Sequence, residues 1–214
     1  FCNLTEVMVR ADDTLDTLKE KVRLATILGT YQSTLTDFKY LRKRWKDNTE
    51  EERLLGVSLT GIMDSLITNG RAYKDVEEGL KKTLTELKKV AVETNKEFAA
   101  KFGINQSVAI TCVKPSGTVS QLTDTASGIH SRHSEYYIRR VRGDMKDSLT
   151  NFLKDAGVPF ENAISGYQDI DETMPIYNDQ IGVFSFPVQA PQDCVTRDDE
   201  TAIDQLKLWI AYYR

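Results

Sequence analysis

Cysteine is scarce in this chain. The three residues, at positions 2, 112 and 194, are too few for a disulfide framework and too far apart for a Cys-x-x-Cys metal motif. Histidine is scarcer still: His130 and His133 stand close together but have no cysteine pair at zinc spacing beside them, so no metal site is expected. No apolar run approaches the roughly 20 residues that a membrane helix needs, and Phe1 opens no charged-then-apolar leader. A cytoplasmic protein with no membrane partner is expected. An excess of basic charge is also missing, with 28 Lys and Arg against 32 Asp and Glu and a net charge of −4. Without a global positive field, polymeric nucleic acid is not an expected partner, whereas a small anionic ligand needs only a local site.

What is present is ordinary globular composition: 214 residues, 40% hydrophobic and 28% charged, enough for a core of one or two domains. Residues 2–9 read as a strand. Apolar residues at helical spacing follow from Thr14 to Leu28, behind a cap at Asp13 or Thr14. A second helix is expected over Thr34 to Lys46, then a charged loop to Arg53, and a strand from Leu54 to Thr60 that stops at Gly61. Lys74 to Phe102 is the longest periodic segment, with Leu80, Leu84, Leu87 and Ala91 on one face and a solvated charged face opposite. Strands are expected at Val108 to Val113, Tyr136 to Val141 and Ile181 to Val188, and helices at Met145 to Ala156 and from Thr201 onward, with loops at Asp169 to Thr173 and Gln189 to Asp199. This alternation argues for an α/β layout with parallel strands, in which ligands gather at the carboxyl ends of strands. The sequence starts in a strand and stops in an uncapped helix, so it reads as a piece of a larger fold.

One such strand end carries the strongest chemical signal. The apolar run Val108, Ile110, Cys112 stops at Pro115, and Ser116, Gly117, Thr118, Val119 and Ser120 follow. Small residues with hydroxyls and available N–H groups suit an oxyanion, and a glycine lets the main chain approach it. An ordinary Pro-Ser-Gly turn has the same composition.

Three ordered segments carry a family resemblance: Phe1-Cys2-Asn3-Leu4-Thr5-Glu6-Val7, then Leu54-Leu55-Gly56-Val57-Ser58-Leu59-Thr60-Gly61, then Lys114 to Leu122 with Ser127-Gly128-Ile129-His130. In this order they resemble the second half of the catalytic subunit of ribonucleotide reductases. The Pro-Ser-Gly-Thr wording is similar to the adenosylcobalamin-dependent class. Tyr212-Tyr213 is similar to the tyrosine pair of the radical-subunit-dependent class, but its helical surroundings differ, and the two are read as helix-face aromatics.

The resemblance implies a stretch of the ten-stranded α/β barrel, with residues 1–214 as one fragment of its second half. It implies that Cys2 is one member of the reducing cysteine pair, its partner lying upstream, and that Pro115, Ser116, Gly117, Thr118, Val119 and Ser120 hold the substrate's phosphates. It implies a ribonucleotide substrate, adenosylcobalamin held mainly by the complete enzyme, and an external dithiol or thioredoxin-like reductant. The radical-bearing cysteine with its flanking Asn and Glu belongs to the missing upstream part, so the chain by itself is expected to be inactive. Arg132, Arg139, Arg140, Arg142 and His130 invite a phosphate role, but strand alternation divides the arginines between faces. Cys112 and Cys194 read as structural residues. The alternatives are a radical-subunit-dependent reductase, or a noncatalytic phosphate-binding or assembly domain that keeps the barrel scaffold.

Overall fold

A computed structural model describes residues 1–213. Their contacts divide into two compact units, one formed by residues 1–134 and 191–213, the other by Glu135–Ala190.

The first unit is built on two parallel strands, β1 (Asn3–Met8) and β2 (Leu55–Thr60), paired in register from Asn3 opposite Leu55 to Met8 opposite Thr60. Alternation then assigns each residue a face. Val7 and Val9, with Leu55 and Val57, are buried against Leu18 and Val22 of α1 (Leu15–Gln32) and Leu87 and Ala91 of α3 (Val76–Phe102). Cys2, Leu4, Glu6 and Met8 point to the other face, where Leu4 and Met8 remain 44% and 39% exposed. Burying each large apolar side chain of the helix-covered face is worth roughly 1.5–3 kcal/mol. The opposite face has no comparable cover in this unit.

The helix ends follow local chemistry. Thr14 caps α1 in a reciprocal box, its hydroxyl accepting from Thr17 N–H at 3.2 Å while Thr17 Oγ1 accepts from Thr14 N–H at 2.9 Å. Asp75 caps α3 by accepting from Glu78 N–H at 3.0 Å. In α3, buried Asn95 donates to Thr30 Oγ1 at 3.0 Å and to Ser107 Oγ at 2.9 Å, and its Oδ1 accepts from Ser107 N–H at 2.9 Å. These bonds fix where the chain re-enters the sheet. It does so as an irregular third edge beside β2, through Leu55 N–H to Ala109 O, Val57 N–H to Ile110 O and Cys112 N–H to Val57 O at 2.9, 2.8 and 3.0 Å. The expected strand Val108–Val113 is thus reduced to a single parallel bridge, Val57 with Thr111.

The expected helix over Thr34–Lys46 is a correction. The helix here is α2, Lys43–Glu52, and it occupies the segment read as a charged loop. Its charges lie at helical spacing, pairing Lys43 with Asp47 and Lys46 with Glu50. Arg53 closes it in the left-handed region (φ 47°), its guanidinium donating to Glu50 O at 3.0 Å and Ser33 O at 2.6 Å.

The second unit is an antiparallel sheet, order β3-β5-β4, from β3 (Tyr136–Asp144), β4 (Phe160–Tyr167) and β5 (Pro175–Gln189), with α5 (Ser148–Asp155) between β3 and β4. The parallel expectation fails here because a connection as short as residues 168–174 can only turn the chain back on itself. Phe184, 1% exposed, packs on Phe160 with ring centroids 5.3 Å apart. On β3, Arg140 pairs with Glu161 of β4, and Arg139 donates to Tyr137 OH at 3.1 Å.

The last element among the described residues, in the first unit, is α6 (Ala202–Tyr213), which packs on α3. Tyr212 donates its hydroxyl to Thr68 O at 2.7 Å, and burial pushes its pKa far above the ordinary tyrosine value. Tyr213 is 74% exposed and stacks on Trp209. The two tyrosines therefore have unlike surroundings, one a half-buried hydrogen-bond donor and one a surface ring.

Candidate functional site

The segment from Pro115 to Ser120 lies against β1. Ser116 is buried, and its hydroxyl donates to Glu6 Oε2 at 2.9 Å while accepting from Ser120 N–H at 3.2 Å. Ser120, fully buried, donates its hydroxyl back to Ser116 O at 2.6 Å, and Ser127 donates to the same carbonyl. Ser116 and Ser120 thus spend their hydroxyls inside the protein. They build the loop, and their Oγ atoms are not facing outward for a ligand.

The residues between them differ. Gly117, Thr118 and Val119 are exposed, and their N–H groups donate to no protein acceptor among the described residues. They lead into α4, a short turn of helix over Val119–Thr123. Gly117 is not in the left-handed region, and a Cβ built on it would meet nothing within 4 Å. Neither backbone strain nor packing within the chain calls for glycine there, so the space it leaves open is available to something outside the chain. Pro115 is exposed at the head of the loop, and Lys114 folds its ammonium onto Pro115 O at 3.3 Å.

A second layer holds the loop from behind. Gly61 ends β2 at φ +81°, where a Cβ would sit 2.6 Å from Val9 O. Its N–H donates to Ala126 O at 2.9 Å, and Thr60 Oγ1 donates to Ala126 O at 3.1 Å and accepts from Gly128 N–H at 3.0 Å. Gly128 (φ +57°) packs under the loop, where a Cβ would come within 3.0 Å of Lys114 O. Below this lies a buried ion pair. Arg132 grips Asp64 through Nε–Oδ1 at 2.9 Å and Nη2–Oδ2 at 3.0 Å, both side chains 2% exposed. Asp64 Oδ2 also accepts from Ala126 N–H at 2.7 Å, and Arg132 reaches Asp124 O at 2.8 Å and its carboxylate at 3.2 Å. Arg132 is thereby a structural tie, not a ligand arginine. Arg139, Arg140 and Arg142 lie on β3 in the second unit. His130 Nδ1 lies 3.1 Å from Gln205 Nε2.

Cys2 sits on the same face of β1 as Glu6, four residues away, so about 13 Å of strand separates the thiol from the loop anchor. Sequence reasoning missed its neighbour. The Cys2 and Cys112 sulfurs lie 3.3 and 3.2 Å from the point where a Cβ on Gly56 would be. Burial raises the pKa of the Cys112 thiol, the Cys2 sulfur and Glu6 add to this, and Lys114 opposes it. Cys112 is exposed as a residue, yet its sulfur occupies the gap over Gly56. The Cys-to-Pro spacing gave no hint of this, because the contact depends on strand order. Cys194 is buried near Asp64 and Arg132, and burial raises its pKa. Among the described residues, no group of three or more His, Cys, Asp or Glu side chains is arranged to hold a metal ion, and no helix is long and apolar enough to cross a membrane.

No family model matches the chain. It is 30% identical over 196 residues to the adenosylcobalamin-dependent ribonucleoside-triphosphate reductase of Lactobacillus gasseri, covering 82% of this chain and 26% of that protein. It is 28% identical over 209 residues to the enzyme of the same name from Lactobacillus leichmannii (88% and 26%), and 29% identical over 211 residues to that of Euglena gracilis (97% and 26%). The chain spans about a quarter of the length of these curated relatives. Among solved structures, a B12-dependent (class II) ribonucleotide reductase superposes with a TM-score of 0.75 at 23% identity, over 99% of this chain and 31% of that one. The class Id reductase alpha subunit of Actinobacillus ureae gives 0.50 at 16% identity, over 73% and 32%. The fold is that of part of the class II reductase α/β barrel, and the class I likeness is the weaker of the two.

Proposed function

We propose that this chain is one stretch of the catalytic barrel of an adenosylcobalamin-dependent ribonucleotide reductase, and that it contributes the substrate's phosphate seat and one reducing thiol. The observation that carries the reading is the Ser116–Glu6 hydrogen bond, which ties the Pro115–Ser120 loop to the strand, and the strand face, that bears Cys2. A nucleotide laid along that face would have its phosphates at the unclaimed N–H groups of Gly117, Thr118 and Val119 and its sugar toward Cys2.

The roles follow from the donors. Main-chain N–H groups hold an oxyanion without the desolvation cost of a buried cation, and the Thr118 hydroxyl is free to add to them. Ser116 and Ser120 set the loop's shape. Cys2, with a second thiol from the upstream part of the protein, supplies two electrons and two protons. The ribose 2′ hydroxyl leaves as water and the two sulfurs close into a disulfide, which an external dithiol or a thioredoxin-like protein reopens by exchange. Adenosylcobalamin, when bound to the complete enzyme, supplies the radical that starts this chemistry. The open face around Cys2, with Leu4 and Met8 partly exposed, leaves room for further protein or a bulky group. The upstream part, the reductant and a cytoplasmic location belong to this proposal.

The test is complementation. This chain, joined or mixed with an upstream segment carrying the missing cysteine, Asn and Glu, is expected to reduce ribonucleoside triphosphates with adenosylcobalamin and a dithiol. Activity that requires a separate radical subunit instead would move the chain to the other class, and no reduction under either condition would end the reading.

A further inference from the structure

Cys2 and Cys112 reach one point in space from opposite sides. The third, irregular edge that carries Cys112 flanks β2 on one side and β1 flanks it on the other, and both thiols approach the bare backbone of Gly56. Glycine is what permits this. A Cβ there would sit 2.5 Å from Leu4 Cδ2 and in tight contact with both sulfurs. The sulfurs can be no farther apart than the sum of their distances to that point, 3.3 and 3.2 Å.

What can two such thiols hold? A relaxed disulfide is disfavoured, because two interstrand spacings alone put the Cα atoms at least ~9.5 Å apart, and the registers offset them further along the strands, beyond the ~7 Å that a disulfide spans without backbone movement. Both cysteines are accordingly free. A hard cation is not served either, since no cluster of three or more His, Cys, Asp or Glu side chains is arranged for one among the described residues. A single soft ion is different. Two metal–sulfur bonds of about 2.3 Å in a line place the sulfurs ~4.6 Å apart, inside the permitted separation, and thiolate ligands select Cu(I). Lys114, two residues beyond Cys112, offsets part of the anionic charge of a dithiolate complex, while Glu6 on the same face works against it.

We propose that Cys2 and Cys112 form a two-thiolate clamp over Gly56 for one soft monovalent ion of the Cu(I) class. Each thiol gives its proton to solvent as a sulfur–metal bond forms, and no oxidation takes place. The clamp itself does not depend on the reductase reading. Its consequence does: on that reading, an ion held by Cys2 removes a reducing thiol, and Cu(I) inhibits turnover.

The test uses the complete protein, reduced and anaerobic, titrated with Cu(I) as its acetonitrile complex against a colorimetric Cu(I) chelator, with stoichiometry read by native mass spectrometry. The wild type and Cys194→Ser are expected to bind one ion with equal affinity. Cys2→Ser and Cys112→Ser should each lose tenfold or more. Wild-type affinity in Cys112→Ser would overturn the clamp, because Cys2 would then be binding with some other partner. Ready formation of a Cys2–Cys112 disulfide with a small-molecule disulfide oxidant would overturn the spacing on which it rests. Nucleotide reduction is assayed separately: intact binding with no reductase activity retains the clamp and counts only against the reductase reading.

Discussion

Ser116 donates its hydroxyl to Glu6 across 110 residues of sequence, at 2.9 Å, and through this one bond the loop after the third strand edge is registered on β1. Glu6 Oε1, the other oxygen of that carboxylate, is buried without a partner. Such an atom has a reason to stay only if something outside the described chain uses it, or if the anchor is worth its cost.

Ser116→Ala should therefore act on both the loop and the strand. It strips Glu6 of its donor and Ser120 N–H of its acceptor, and leaving buried groups unsatisfied costs about 1–3 kcal/mol. Denaturant unfolding is expected to register that loss, and amide exchange of residues 116–120 to accelerate. Unchanged exchange would mean that the bond does not hold the loop.

Gly117 separates binding from folding. Because a Cβ there meets nothing within 4 Å, Gly117→Ala should leave stability within about 0.5 kcal/mol. Gly117→Glu should also fold, but its charge and bulk should weaken nucleotide binding tenfold or more in the complete protein, as measured by equilibrium dialysis. Equal affinity in the Glu variant would remove the phosphate seat from this loop.

The Asp64–Arg132 pair should be among the most costly contacts to break. Asp64→Ala leaves Arg132 buried with its bidentate partner gone and frees Ala126 N–H, a loss of about 3–5 kcal/mol. A urea midpoint close to wild type would show that the pair is not buried in solution.

Asp13 sets an acid limit. Burial raises its pKa, but the Lys21 ammonium at 2.6 Å, Arg10 N–H and the Thr17 hydroxyl outweigh that and hold the carboxyl below the ordinary aspartate value. A depressed folded-state pKa means stability that is present above the unfolded value, near 3.9, and lost as pH falls through the folded one. Asp13→Asn should lower stability at pH 7 and flatten its decline below about pH 4. A parallel decline in both proteins would contradict this.

Much of the first unit could be read from residue order alone. The apolar residues of the strand over 2–9, the period of Leu80, Leu87 and Ala91, and the cap at Asp13 or Thr14 are local signals, and local signals decide strands and helices. Composition marks Lys114 to Leu122 as a turn, and its phosphate role comes from the family resemblance and not from local signals. Lys43–Glu52 is a local signal misread: it looks like a loop until its charges are paired at i,i+4 along a helix. The rest of what escaped was non-local. The partnership of Asp64 with Arg132 spans 68 residues, and the approach of Cys112 to Cys2 depends on which strands flank Gly56. Ser116 and Ser120 read as ligand hydroxyls because sequence cannot tell an outward hydroxyl from one spent on Glu6 or on a carbonyl.

The most direct measurement is multiple turnover of a ribonucleoside triphosphate by the complete protein carrying Cys2→Ser, supplied with adenosylcobalamin and a dithiol. The substitution should leave nucleotide affinity near wild type and abolish cycling with the dithiol. A Cys2→Ser enzyme that cycles at the wild-type rate would contradict the account.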